Sequence, residues 1–163
     1  MKGMLEKPEE FTNLASFYLY RKNPAMSAKV LENAISAENI LFTRANARLL
    51  SDSWLYAKER SRSLDVLDSA LNKSPDDKKL AKQYVDIAFS AFKWKEVVEG
   101  IYRIRRLDIK DDGKYQLMLG IAYFELKQIN NAKNAFIDAS NSEKFKDSGI
   151  AWLEYVKALE GSF

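Results

Sequence analysis

Neither histidine nor cysteine occurs in the 163 residues. Their absence excludes thiol nucleophiles, disulfides and zinc sites built on His or Cys, and removes the commonest general base. The ionisable chemistry that remains is carried by carboxylates, amines and guanidinium groups. The 23 carboxylates are scattered and form no recognisable catalytic pair. Asp108 to Asp112 is acidic but lacks the spacing of a calcium loop. Two basic groups stand out: Arg103, Arg105, Arg106 and Lys110, and the looser set Arg44, Arg48, Arg60 and Arg62. The first falls at the end of a predicted helix, where cations suit the macrodipole, so its ordinary explanation is structural. Trp54, Trp94 and Trp152 fall at core-like helical positions. These residues assign no catalytic group, metal ligand, cofactor or small-molecule substrate. The chemistry they support is recognition: rings for contact area, charges for register.

Composition sets the class of fold that must position such groups. A hydrophobic share of 47% can fill a continuous core, while 6 Gly and 3 Pro are few for an all-β chain. The formal charge of +3 is spread along the chain and argues only weakly for nucleic acid or a membrane surface. No run of about 18 apolar residues occurs, so no membrane insertion is expected. The first ten residues carry no apolar signal core.

The periodicity is helical throughout, with no sustained alternation of the kind a strand requires. Nine helices are predicted, over about 8–21, 24–36, 43–58, 61–73, 77–92, 94–107, 114–126, 129–140 and 146–159. Pro8 and Pro24 stand at helix starts, where a missing N–H costs nothing. Ser74-Pro75-Asp76-Asp77 reads as a turn that opens the fifth helix, and Asp111-Asp112-Gly113 is the clearest loop.

The helices recur as pairs. Ser27, Ser63, Val97 and Ala132 are separated by 36, 34 and 35 residues. Leu31, Leu67, Ile101 and Phe136 follow four residues later, and Ala34, Ala70, Ile104 and Ala139 three after those. Upstream stand Leu14 and Tyr18, Leu50 and Trp54, Tyr84 and Ala88, Leu119 and Tyr123. Small residues mark where two helix axes approach closely, and large ones fill the gap to the next pair. A pair cannot bury both its faces alone, so the pairs must stack. Gly120 is expected at a close contact within the fourth pair.

These marks resemble the tetratricopeptide repeat (TPR). The fourth copy carries Leu119, Gly120, Tyr123, Ala132, Phe136 and Ala139 on the signature places. The second carries Leu50, Trp54, Leu67, Ala70, Leu71 and Pro75, with Ser63 for the usual alanine. The first and third are degenerate: Tyr84 and Ala88 swap the expected sizes, and Val97 is large. The resemblance implies an all-α, right-handed superhelical array of antiparallel pairs in a single domain, 1–163. Its repeats fall at about 8–43, 44–77, 78–112 and 113–146, with a capping helix at 147–160. A narrower resemblance runs from Leu5 to Tyr20 and over Leu117–Phe124 and Trp152-Leu153. It is to the C-terminal repeats of exported bacterial proteins associated with TonB-type systems. It implies a periplasmic fragment of a longer chain; without it, the cytoplasm is expected.

The resemblance also implies a binding surface, the concave face lined by the first helix of each pair. Carried over by register, the partner-binding candidates are Thr12, Ser16 and Tyr20; Arg48, Asp52 and Tyr56; Lys82, Asp86 and Phe89; and Leu117, Ile121 and Phe124. Thr12 and Ser16 stand where some family members place the Lys and Asn of a carboxylate clamp, so that clamp is absent. A non-enzymatic scaffold for a protein or peptide is the expected function. The alternative is a structural module that self-associates through an array end, giving a homodimer or larger assembly. No repeated base-reading side chain argues for RNA.

Overall fold

A computed structural model describes residues 7–160; Leu5 and Glu6 of the N-terminal resemblance lie outside the described residues. Among those described there are nine α-helices and no strand. They are α1 (Pro8–Tyr20), α2 (Pro24–Ser36), α3 (Arg44–Tyr56), α4 (Arg60–Lys73), α5 (Lys78–Ser90), α6 (Trp94–Arg106), α7 (Lys114–Glu125), α8 (Ile129–Ser140) and α9 (Lys146–Glu160). Asp77 accepts from the backbone N–H groups of Lys79 and Leu80, each at 3.0 Å, and so opens α5 as the turn chemistry requires.

The chain forms two compact units, one ending at Leu80 and the next starting at Ala81. In the first, α1 packs on α2, α2 on α3, and α3 on α4. Ala15, Ala28, Leu31, Ala34, Ile40, Leu50 and Trp54 form one buried cluster. Each large side chain removed from water there contributes roughly 1.5–3 kcal/mol. Four buried serines interrupt this apolar interior. Ser27 Oγ lies 2.9 Å from Ser53 Oγ, and Ser51 Oγ lies 2.8 Å from Ser63 Oγ. Two hydroxyls that satisfy each other can be buried at the close helix contacts where the register calls for small residues.

In the second unit α6 packs on α7, α7 on α8, and α8 on α9. A Cβ on Gly120 would collide with the Phe136 ring, which places Gly120 at the expected close contact between α7 and α8. The swapped sizes of the third pair have a physical resolution. Gly100 of α6 lies against α5, and a Cβ there would stand 2.7 Å from Val85 Cγ2 and 2.9 Å from Tyr84 Cδ1. The small residue has moved from the first helix of the pair to the second. Gly149 lets α9 approach α8 backbone to backbone, with a would-be Cβ 2.6 Å from Ser140 N and 2.8 Å from Phe136 O.

Each hairpin turns by the same device. Lys22, Lys58, Phe92 and Lys127 all have positive φ, between 57° and 64°. The next residue's N–H returns to a carbonyl five residues back: Asn23 to Tyr18, Glu59 to Trp54, Lys93 to Ala88 and Gln128 to Tyr123. These are Schellman closures, built here without glycine.

Candidate functional site

The face read from the sequence begins on α1 and α3 in the first unit. Thr12 and Ser16 donate their hydroxyls to carbonyls of their own helix, at Glu9 and Thr12. Their hydrogen-bonding capacity is therefore partly taken up within α1. Tyr20 is 83% exposed and Tyr56 69% exposed. Each is the last residue of its helix, one repeat from the other. Arg48 is exposed, and Asp52 is half-buried.

In the second unit the face lies on α5 and α7. Lys82 is exposed. Asp86 is exposed and forms an ion pair with Lys114 Nζ at 2.5 Å. Phe89 is half-buried and meets Trp94 edge-on, with ring centroids 5.7 Å apart. Leu117 and Ile121 are half-buried. Phe124 packs on Trp152 and Tyr155 of α9, at centroid distances of 5.6 and 5.8 Å. The aromatic rings of the second unit are thus already engaged in packing, whereas Tyr20 and Tyr56 stand open.

Two members of each basic group make separate structural contacts. Arg62 makes two bonds to the Glu32 carboxylate, at 2.8 and 3.1 Å, and its guanidinium lies 3.5 Å from the centroid of the Trp54 ring. Trp54 Nε1 donates to the same carboxylate at 2.9 Å. Arg44 pairs with Asp77. Arg103 pairs with Glu99, and Arg105 donates to Gln116. The Glu32–Trp54–Arg62 cluster was not legible in the sequence, because its members lie on three helices and no spacing rule joins them.

Two tyrosines are held protonated well past their usual range. Burial, reinforced by the carboxylates of Asp86, Asp111 and Asp112, pushes Tyr115 up to about 12. Burial, together with a hydrogen bond to Tyr102, pushes Tyr123 up to about 12. Asp112 is held below its ordinary value, first by its hydrogen bond from Lys144. None of these groups is poised near neutral pH. Among the described residues no group of three or more acidic side chains could hold a metal ion, and no helix is long and apolar enough to cross a membrane.

No family model matches the sequence, and no curated protein matches it significantly. Solved structures do match. MamA 41-end from Desulfovibrio magneticus RS-1 superposes with a TM-score of 0.69 at 14% identity, over 98% of this chain and 88% of that one. A MamA RS-1 double mutant gives 0.69 at 15% identity, over 97% and 87%. MamA AMB-1 gives 0.68 at 14% identity, over 94% and 82%. At these identities the likeness speaks for fold alone. The fold is all-α and TPR-like, as the 34–36 residue recurrence predicts.

Proposed function

We propose that the protein is a non-enzymatic scaffold that holds a protein or peptide on the faces of its first helices. The observation that carries the reading is the exposure of Tyr20 and Tyr56 at equivalent places in successive pairs. Large rings in water, repeated in register, supply contact area at low entropic cost. The all-α, TPR-like fold supports the same reading by analogy. The test is a partner captured by the full-length chain and then titrated against variants. Tyr56→Ala and Phe89→Ala are expected to weaken binding by roughly 1–3 kcal/mol each, as desolvated aromatic anchors do. Arg105→Ala, whose guanidinium already serves Gln116, is expected to be near neutral. Release by the arginine change alone would overturn the proposal.

The narrower form of the proposal is a place in a TonB-type envelope assembly, supported by the sequence resemblance over residues 5–20 and 117–124. Fractionation of source cells tests it: a periplasmic chain co-purifying with energy-transducing components is expected. Self-association is the second reading, supported by apolar side chains left in water on α9. Ile150 and Tyr155 are 39% and 51% exposed there. Sedimentation equilibrium decides it, a concentration-independent monomer mass being the contrary result.

A further inference from the structure

The turn edge of the first unit combines two features that the sequence displayed separately. Short turns join α1 to α2 and α3 to α4, and α2 packs on both α1 and α3, an up-and-down stacking that puts the α1–α2 and α3–α4 turns at one end. That end carries Arg21, Lys22, Lys58 and Arg60, all exposed. None of the four forms a side-chain hydrogen bond or an ion pair among the described residues, in contrast to Arg44 and Arg62 nearby. Glu59 is the one carboxylate within these two turns. Tyr20 and Tyr56, the most and fourth most exposed of the large apolar side chains, immediately precede the turns. Cations at helix C-termini favour the macrodipole whatever their partner. That accounts for Arg21, Lys22 and Lys58, but not for Arg60, the first residue of α4, nor for the rings beside them.

We infer that this edge takes an acidic, aromatic-bearing peptide segment of a partner protein. Its carboxylates lie on Arg21, Lys22, Lys58 and Arg60, and its apolar side chains lie against Tyr20 and Tyr56. This deepens the peptide-binding reading above and rests on it. The uncompensated cations select the sign of the partner, and the rings supply the area that exposed charge pairs alone do not. Because the two hairpins present the same arrangement one repeat apart, the occupant is extended and meets both.

Fluorescence anisotropy with the full chain tests this. The probe is a fluorescein-labelled peptide in which Glu and Asp alternate with Leu and Phe. Its twin carries Lys at every acidic position. The acidic peptide is expected to bind and the twin to bind at least about tenfold more weakly. Tyr20→Ala with Tyr56→Ala is expected to cost about tenfold, as is Lys22→Glu with Lys58→Glu. Lys95→Glu, an exposed control on α6, is expected to change nothing. The Lys-to-Glu pair suits the backbone, since Glu38 already adopts the same positive φ. Circular dichroism confirms that each variant remains folded. Equal binding of both peptides, lost in the tyrosine variant, would overturn the acidic preference and leave peptide binding standing. Binding indifferent to the tyrosines would overturn this edge as the site. Loss with the lysine change alone would reduce the contact to unspecific charge attraction and overturn the proposal. If neither peptide binds, the acidic segment is overturned, while the captured-partner titration still decides the broader reading.

Discussion

At the scale of single residues, the buried serines show how polar atoms can be kept inside an apolar stack. Ser51 and Ser63 share one hydrogen bond, and Ser27 and Ser53 another. Removing one hydroxyl takes from its neighbour the shorter of two contacts at Ser51, which also reaches the Ser63 carbonyl at 3.3 Å, and one of two at Ser53, which also donates to the Leu49 carbonyl at 2.7 Å, whereas removing both leaves a merely apolar contact. Ser63→Ala is therefore expected to cost about 1 kcal/mol. Adding Ser51→Ala should return part of that loss, because the two sites are coupled. Urea denaturation of the single and double variants measures the coupling; strictly additive losses would contradict it. The small size of Ser27 and Ser63 was legible in the 36-residue recurrence. The hydroxyl pairing was not, since Ser51 and Ser53 lie outside the repeat marks.

At the scale of helices, the glycines define how closely elements approach. Gly120 meets the Phe136 ring, which can shift, but Gly149 meets backbone atoms of α8, which cannot shift without moving the helix. Gly120→Val is expected to cost on the order of 1–3 kcal/mol by overpacking. Gly149→Ala should cost at least as much with only a methyl added. An unchanged urea midpoint for Gly149→Ala would refute the close α8–α9 approach. The hairpin turns give an opposite expectation. Lys58 holds φ at 64°, and glycine adopts that geometry without a Cβ clash. Lys58→Gly should raise stability by roughly 0.5–1 kcal/mol, read as an increase in the melting temperature.

Helix positions were legible because apolar periodicity and prolines mark them directly. α1 ends at Tyr20 where 21 was expected, and α5 starts at Lys78 where 77 was expected, because Arg21 and Asp77 serve as flanking residues. The compensation by Gly100 was hidden, since a small residue can sit on either helix of a pair. On the ninth helix, Glu160 remains exposed and pairs with Lys133 of α8 at 2.5 Å. Trp152 stacks on Phe136 at 5.2 Å, so the contact with α8 is aromatic as well as charged.

At the scale of the whole molecule, the expectation of a single domain becomes a statement about cooperativity. Stacked repeats couple through nearest-neighbour interfaces, and a chain of this length can melt as one. One calorimetric transition with matching van't Hoff and measured enthalpies is the expected result. Two resolved transitions would mean that the units ending at Leu80 and starting at Ala81 fold separately. The candidate face was legible only as a register. Helix spacing indicates which side chains share a side, but not that Phe89 and Phe124 would pack against neighbouring rings while Tyr20 and Tyr56 stayed in water.

The indole beneath Arg62 gives this chain a built-in optical probe. Trp54 is the only tryptophan of the first unit, and its ring is capped by a guanidinium while its N–H is held by a carboxylate. Trp94 and Trp152 belong to the second unit, each beside other aromatic rings. With Trp94 and Trp152 changed to phenylalanine, the emission of Trp54 would report the first unit alone. With Trp54 changed instead, the remaining two would report the second. Each half of the molecule can therefore be followed by its own light, without any added dye.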